Sequence, residues 1–150
     1  MKIILDNFQL EEFNRENNEH REVLEKLNKD QGVKRYLGDI NYSIERINKR
    51  YCENRFNKAF IPYYNEYPIG YISLSYIDDE YQISCGILSE FRKENLASLL
   101  VEEFSDYLLN NYEEIDKLTA KIESDNIGSI KAASLASYSE EDRNKYIRRR

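Results

Sequence analysis

The spacing of hydrophobic residues changes character near residue 58. Before that point apolar residues recur every three or four positions within polar sequence, which is typical of amphipathic helices. The pattern predicts helices over residues 18–29 and 41–53, after a short strand at Lys2–Leu5. Their apolar faces consist of Val23, Leu24 and Leu27 in the first, and Ile40, Ile44, Ile47 and Tyr51 in the second. Gly32 and Gly38 interrupt the segment between them.

After residue 58 the pattern favours strands. The runs at residues 59–64, 69–76 and 81–88 are rich in β-branched and aromatic residues. Because the connections between them are short, we expect an antiparallel meander. Pro62 lies inside the first run, and this position favours an edge strand or a bulge.

The last third alternates between helix and strand. A helix is predicted over residues 93–111, a strand over 118–123, a helix over 126–137 and a short strand over 144–148. A strand, a helix and a second strand in this order form a βαβ unit, whose two strands run parallel. We therefore predict an α+β fold: a mixed sheet, with an antiparallel meander leading into a βαβ crossover, flanked by helices. No linker or repeat divides residues 1–150, so one domain is expected.

Composition narrows the possible functions. Of the 150 residues, 41% are hydrophobic, enough for a real core, and the formal net charge is -6. An acidic chain is unlike a nucleic-acid-binding protein and suits a cationic partner such as an amine. The first residues are too short an apolar run for a signal peptide, and nothing is long enough to span a membrane. We expect a cytoplasmic protein without nucleic-acid or membrane partners.

Few residues suit metal or disulfide chemistry. Cys52 and Cys85 form no disulfide framework. His20 is the only histidine, and its polar neighbours indicate an exposed helix face, so neither a histidine-based metal site nor a Ser/His/Asp triad is expected. The acidic run at residues 78–80 lacks the spacing of a calcium loop and is interpreted as a solvated hairpin turn. We predict no metal.

The stretch EFRKENLASLL, residues 90–100, combines a basic pair, a small polar turn and an apolar helical run. The first N–H groups of a helix lack partners within it and bind anions well. Arg92 and Lys93 would add positive charge, Asn95 tolerates unusual backbone angles, and Ala97 and Ser98 leave room for a ligand. The same residues also suit an ordinary charged helix start, and on local chemistry alone that interpretation is favoured. Neither a Walker loop nor a dinucleotide fingerprint occurs.

Residues 87–100 resemble the acetyl-CoA motif of the GNAT superfamily of N-acetyltransferases. That motif has an apolar strand end, Arg or Gln, two residues, Gly, one residue, and Gly or Ala. Arg92 and Ala97 match it, and Asn95 stands in place of the first glycine. Residues 125–133, DNIGSIKAA, are similar to a second motif, closest to the branch that acetylates ribosomal-protein N-termini. Ser137-Tyr138 stands where Gly-Phe usually closes that motif.

The resemblance implies a splayed sheet, in which the strand ending at Leu88 diverges from the strand at 118–123 and pantetheine lies in the gap. Residues 1–57 would form the substrate side and residues 58–150 the acetyl-CoA-binding core. The cofactor-binding residues would be Ile87, Leu88, Ser89, Arg92, Lys93, Glu94, Asn95, Leu96, Ala97, Ser98, Asn126 and Ser129. Asn126 and Ser129 are also explained by plain helix capping.

The catalytic residues are harder to assign. A protonated amine must lose a proton before it attacks a thioester, and many family members use a glutamate on the strand before the turn. The corresponding positions are Tyr81 and Gln82, so the nearest carboxylate, Glu80, is the candidate base; it also suits a solvated turn acid. The tyrosine that serves as general acid in other branches falls at Ala133. Tyr138 is the candidate substitute, with Ser129 and ordered water as alternatives.

The function implied is transfer of an acetyl group from acetyl-CoA to a primary amine of a peptide or protein N-terminus or of a small molecule. The alternative is a binding or regulatory module on the same fold that has lost catalysis. The replaced glycine, the missing strand glutamate and the Ser-Tyr ending keep it open. The sequence leaves both a monomer and a homodimer open.

Overall fold

The computed structural model describes residues 1–50 and 54–150, without the side chains of Arg50 and Lys93. The strands are β1 (Lys2–Ile4), β2 (Gln9–Glu12), β3 (Lys58–Tyr64), β4 (Tyr67–Pro68), β5 (Gly70–Ile77), β6 (Glu80–Ile87), β7 (Lys117–Lys121), β8 (Ser139–Asp142) and β9 (Lys145–Arg149). The helices are α1 (Asn18–Lys29), α2 (Gln31–Leu37), α3 (Ile40–Arg50), α4 (Leu96–Asn111) and α5 (Ile127–Leu135), and a 3-10 helix at Ser89–Glu94 precedes α4. Residues 51–53, which include Tyr51, Cys52 and the predicted end of the second helix, lie outside the described residues.

The strands form one mixed sheet in the order β1-β2-β3-β5-β6-β7-β9-β8, with β4 paired to β3. Strands β3, β5 and β6 form the antiparallel meander, and β6 pairs with β7 in parallel across the α4 crossover. Asp78 and Asp79 have φ angles of 53° and 62° and form the tight turn between β5 and β6. The predicted α+β architecture is confirmed.

The sheet buries both faces. One face, which we call the α4 face, packs against α4 and α5 around residues such as Phe60, Ile72, Ile83, Phe104 and Leu118. The other, the α1 face, packs against α1, α2 and α3 around residues such as Val23, Leu27, Ile44, Ile61 and Tyr71. Because side chains alternate along a strand, the even-numbered residues of β6 lie on the α1 face.

The elements that were not predicted include helix α2 and the strands β2 and β8. Helix α2 contains Gly32 and ends before Gly38, two glycines that indicated an interruption rather than a helix. The helix nevertheless forms, and Asp30 caps it by accepting a hydrogen bond from the Val33 N–H at 3.1 Å. Strands β2 and β8 lack an alternating apolar pattern: only Leu10 is buried in β2, and all of β8 is exposed. Both strands are held by backbone pairing with β3 and β9, which sequence periodicity does not report.

Pro62 is not on an edge strand, since β2 pairs along β3 and places Leu10 opposite it. The bulge alternative is the correct one. Phe60 pairs with Ile72 whereas Tyr63 pairs with Pro68, so the register shifts by one residue around Pro62. A missing N–H is tolerated at such a position.

The expected exposure of His20 is wrong, because its side chain is 1% exposed. The Asn14 N–H donates to Nδ1 at 3.0 Å, and Nε2 lies 3.2 Å from Glu11 Oε1. The ring also stacks on Phe13. His20 therefore secures the loop before α1, a role that its polar sequence neighbours concealed.

Candidate active site

Strands β6 and β7 are paired only where Gln82 lies opposite Thr119. Beyond that pair the two strands separate toward their carboxyl ends. The Leu88 N–H donates to Ile69 O on the β5 side at 2.8 Å, so alternation turns the N–H groups of Cys85 and Ile87 toward the gap. We call this gap the V cleft, the Gln82–Thr119 pair its vertex, and the open end its mouth.

One side of the mouth is a backbone turn. The chain leaves β6 through the 3-10 helix, passes Asn95 in the left-handed conformation (φ 55°, ψ 27°) and enters α4 at Leu96. A right-handed residue followed by a left-handed one points consecutive N–H groups into one concavity, which suits an anion. The first N–H groups of α4 add to it. The Ser98 hydroxyl donates to Asn95 O at 2.8 Å and fixes the turn.

Arg92 connects this turn to the α1 face. Its Nε donates to Ile87 O at 3.0 Å, and its Nη2 lies 3.0 Å from Asp30 Oδ2. Burial alone would raise the pKa of Asp30, but hydrogen bonds from Arg92 and the Val33 N–H lower it. The guanidinium is thus shared between the end of β6 and the start of α2.

The other side of the mouth is the start of α5. The Asn126 side chain caps this helix by accepting from the Ser129 N–H at 3.3 Å. The preceding Asp125 pairs with Arg35, and the Tyr36 hydroxyl donates to Asp125 O at 3.5 Å. Because β6 and β7 are parallel, Asn126 and Ser129 lie at the same edge of the sheet as the Asn95 turn.

Helix α2 crosses the cleft on the α1 face. It is attached to one wall through Asp30 and to the other through Arg35. Between these attachments Leu37 lies on β6, where a Cβ added to Gly86 would meet Leu37 Cδ1 at 3.0 Å. A larger residue at this position would require the Leu37 side chain to shift by a few tenths of an ångström.

Polar side chains meet at the vertex. Glu80 Oε1 accepts a hydrogen bond from Lys145 Nζ of β9. Among the described residues, three buried side-chain atoms have no hydrogen-bond partner: Glu80 Oε2, Gln82 Nε2 and Thr119 Oγ1. The hydrogen bond from Lys145 is the main cause of the lowered pKa of Glu80. The carboxylate is therefore ionised and incompletely satisfied.

Tyr138, the other predicted catalytic residue, is not at the vertex. It is 3% exposed in the core of the α4 face, and its hydroxyl lies 2.7 Å from Ser105 Oγ. Burial raises its pKa to about 12. The assignment of Tyr138 as general acid stays a prediction, and this geometry gives the side chain a packing role between α4 and β8.

The structure thus gathers residues 87–98 with Asn126 and Ser129 around the mouth, and it places Glu80 at the vertex. Sequence reasoning missed Thr119 and Lys145. For Thr119 the only sequence signal was its position in a strand with alternating polar and apolar residues. Lys145 had no sequence signal, because its approach to Glu80 depends on the register of β7 with β9.

The acetyltransferase (GNAT) family model matches residues 23–135. The chain belongs to this family. As a GNAT acetyltransferase it is an acetyl-CoA-dependent acyltransferase, with acetyl-CoA as the acetyl donor, in agreement with the predicted function. No curated protein matches the chain.

Solved structures share this GNAT fold at low sequence identity. An acetyltransferase of Agrobacterium tumefaciens is 8% identical with a TM-score of 0.76, over 98% of this chain and 92% of that one. AAC(6')-Ib, solved with paromomycin and acetyl-CoA, is 15% identical with a TM-score of 0.73, over 97% and 94%. A proposed ribosomal-protein-serine acetyltransferase of Vibrio cholerae is 10% identical with a TM-score of 0.73, over 100% and 98%.

The described part of this acetyltransferase lacks two features. None of its helices is both long and apolar enough to cross a membrane. Its histidine, cysteine and carboxylate side chains do not come together in a group of three that would hold a metal ion.

Proposed function

We propose that acetyl-CoA binds in the V cleft, with its pyrophosphate on the backbone N–H groups of residues 93–98. Asn126 and Ser129 contact the cofactor from α5, and the backbone from Ile87 to Ser89 bonds the pantetheine arm. The right-to-left-handed turn at Asn95 supports this placement. Five residues separate Ile87 from Gln82, roughly 17 Å of strand, so an extended linker must join a bound pyrophosphate to a reacting group at the vertex. Pantetheine is such a linker.

The main support for a catalytic role of the vertex is its set of buried polar atoms without hydrogen-bond partners. Leaving a buried polar group without a partner costs about 1–3 kcal/mol. A water molecule accepting from Gln82 Nε2 and donating to Glu80 Oε2 would satisfy both, with the Thr119 hydroxyl as a third partner. We infer that Glu80 is the general base and acts through this water.

The reaction then follows from the positions of these groups. The amine nitrogen attacks the thioester carbonyl, the C–N bond forms and the C–S bond breaks. Glu80 receives the amine proton through the water, and the CoA thiolate leaves and takes its proton from solvent. The developing oxyanion accepts a hydrogen bond from the Cys85 N–H, the cleft-facing donor of β6 that lies nearer the vertex than the Ile87 N–H.

The acceptor we propose is a primary amine of a peptide or protein N-terminus or of a small molecule. The net charge of -6 favours a cationic acceptor. The paromomycin complex of AAC(6')-Ib and the Vibrio cholerae protein support the two kinds of amine. We also propose a cytoplasmic protein, either a monomer or a homodimer, that has no nucleic-acid or membrane partner. Residues 1–57 would form the acceptor side of the site, and residues 58–150 would form the acetyl-CoA-binding core.

A second candidate is a binding module that retains acetyl-CoA but has lost catalysis. Two observations favour it: Asn95 replaces the motif glycine, and the Tyr138 hydroxyl is committed to Ser105. Under this alternative acetyl-CoA would bind in the cleft and no acceptor would be turned over.

Release of free CoA distinguishes the two candidates. Wild-type protein is incubated with acetyl-CoA and either a peptide with N-terminal serine, paromomycin or spermidine, while thermal unfolding reports binding. We expect a raised melting temperature and CoA release with at least one amine. Glu80→Gln should lower kcat/KM by about 10²- to 10⁴-fold and leave the acetyl-CoA shift unchanged. Glu66→Gln, at an exposed turn carboxylate, is the matched control.

Each result has one consequence. A melting shift without CoA release from any amine would favour the binding module. The absence of a shift at millimolar acetyl-CoA would overturn the cleft assignment. Full activity of Glu80→Gln would show that Glu80 is not the general base.

A further inference from the structure

Lys145 contacts Glu80 from two strands away. Its side chain extends from β9 across β7, and Nζ donates to Glu80 Oε1. Glu80 Oε2 stays buried at the vertex without a partner in the described residues. One carboxylate oxygen is thus anchored while the other is left for a ligand.

We propose that Lys145 is a positioning residue for acetyl transfer, holding Glu80 Oε1 so that Oε2 is presented to the vertex. This inference rests on the proposed function, in which Glu80 is the base. A carboxylate bound at both oxygens would serve only as part of an ion pair. A carboxylate bound at one has a fixed plane and a free acceptor, which is the arrangement that proton transfer through a placed water requires.

The backbone around Lys145 fixes the position from which its side chain extends. Asn144 adopts a left-handed turn with φ 60°, and its carbonyl accepts from the Ile122 N–H at 2.9 Å. Lys145 then pairs with Lys121 on one side and with Asp142 on the other. The lysine is therefore fastened to the wall of the cleft that β7 forms.

The charges around Glu80 come from several elements. Lys145 of β9 and Lys121 of β7 are cationic, and Asp79 in the adjoining turn is anionic. The hydrogen bond from Lys145 is the largest cause of the lowered pKa of Glu80. Removing it should raise that pKa, because the ionised form loses its main stabilising partner.

The experiment compares Lys145→Met, Lys145→Arg and Lys117→Met. Lys117, on β7 opposite Arg149, provides an equal loss of charge on the same sheet. Carbon-detected NMR of the labelled Glu80 carboxyl reports its titration without any acceptor. The kcat/KM profile from pH 3 to 9 is measured with acetyl-CoA and whichever of the serine peptide, paromomycin or spermidine is acetylated.

For Lys145→Met we expect the Glu80 titration and the acid limb of kcat/KM to move together to higher pH. We also expect kcat to fall on the order of tenfold, with KM for acetyl-CoA unchanged. Lys145→Arg should partly restore the wild-type Glu80 titration and the wild-type acid limb of kcat/KM. Lys117→Met should leave both at their wild-type pH values. An unmoved acid limb in folded Lys145→Met would overturn the inference.

If Lys145→Met does not fold, a double variant replaces it in the experiment. The double variant Glu80→Gln/Lys145→Met removes the unpaired charge and should be no slower than Glu80→Gln alone, because both changes act through one group. If the two losses multiply, Lys145 does not act through Glu80 and the inference fails. If Glu80→Gln is fully active while NMR shows the Lys145 effect on the carboxyl, the proposed base fails and the ion pair is only structural.

Acid unfolding supplies a second readout. Since the folded pKa of Glu80 lies below its ordinary value of 4.5, the stability from the pair is present above pH 4.5 and lost as pH falls through the folded value. We expect this loss in the wild type and a weaker one in Lys145→Met. Equal acid sensitivity of the two proteins would contradict the coupling of Lys145 to Glu80.

Discussion

The mouth and the vertex of the V cleft are built in different ways. The mouth turn uses residues 87–98, which are contiguous in the chain, and its anion-binding groups are backbone N–H groups. The vertex uses side chains from β6, β7 and β9, which come together only when the sheet forms. Binding of the cofactor thus depends on the conformation of one segment, whereas the chemistry depends on the register of three strands.

The difference predicts which substitutions each end tolerates. Backbone donors survive most changes of side chain, unless a new group fills or repels the phosphate position. A buried polar side chain has no such freedom, because each partner is a specific atom. Acetyl-CoA binding and acetyl transfer should therefore be separable by mutation.

The largest effect is expected from Ala97→Glu at the mouth. A carboxylate in the first turn of α4 would occupy and repel the pyrophosphate, so acetyl-CoA binding should weaken by more than about 100-fold. The fold should persist, since an acid near a helix N-terminus is favourable. Calorimetric titration checks this, with Ser134→Glu on the exposed side of α5 as the equal-charge control. Binding of wild-type strength would place the pyrophosphate elsewhere.

A smaller effect is expected from Thr119→Val at the vertex. Removing the unpartnered hydroxyl should leave the free energy of unfolding unchanged or raise it by up to about 1 kcal/mol. Turnover should fall on the order of tenfold through loss of a water partner, with acetyl-CoA binding intact. Urea unfolding and CoA release measure the two quantities.

Ser105→Ala is the control for that variant, because it also removes a buried hydroxyl but one with a partner. It leaves the Tyr138 hydroxyl unpaired, so we expect a loss of about 1–3 kcal/mol in unfolding free energy. Turnover per folded molecule should be unchanged. A selective loss of turnover in Ser105→Ala would return Tyr138 to the reaction.

The smallest effect is expected from Asn95→Gly, which restores the motif glycine. Glycine adopts the left-handed conformation freely, so unfolding free energy should rise by less than about 1 kcal/mol and acetyl-CoA should bind at least as tightly. Asn144→Gly makes the same change at a φ of 60° in the β8–β9 turn and should affect stability alone. Weaker binding in Asn95→Gly would mean that the asparagine side chain itself holds the ligand.

The same contrast explains how far the sequence could be interpreted. Periodicity located α1 and the meander, and the two motifs located the mouth, because these signals are local. Asn95 was correctly singled out for unusual backbone angles, since asparagine tolerates them. The role of Lys145 could not be predicted, because its partner Glu80 is 65 residues away and meets it only through the register of the strands. The burial of His20 was missed because its partners Glu11 and Asn14 lie in and just after β2, a segment that has no periodic pattern.

Arg92 has a consequence for how the two substrates affect each other's binding. Its guanidinium bonds both the end of β6 and the residue that caps α2. A phosphate bound beside Arg92 would compete with Asp30 for the same N–H donors. If Asp30 then capped α2 less tightly, the position of α2 on the acceptor side of the cleft would change. Two substrates that never touch at this point would then influence each other's affinity reciprocally. Each substrate would change the dissociation constant of the other by the same factor, whichever of them binds first.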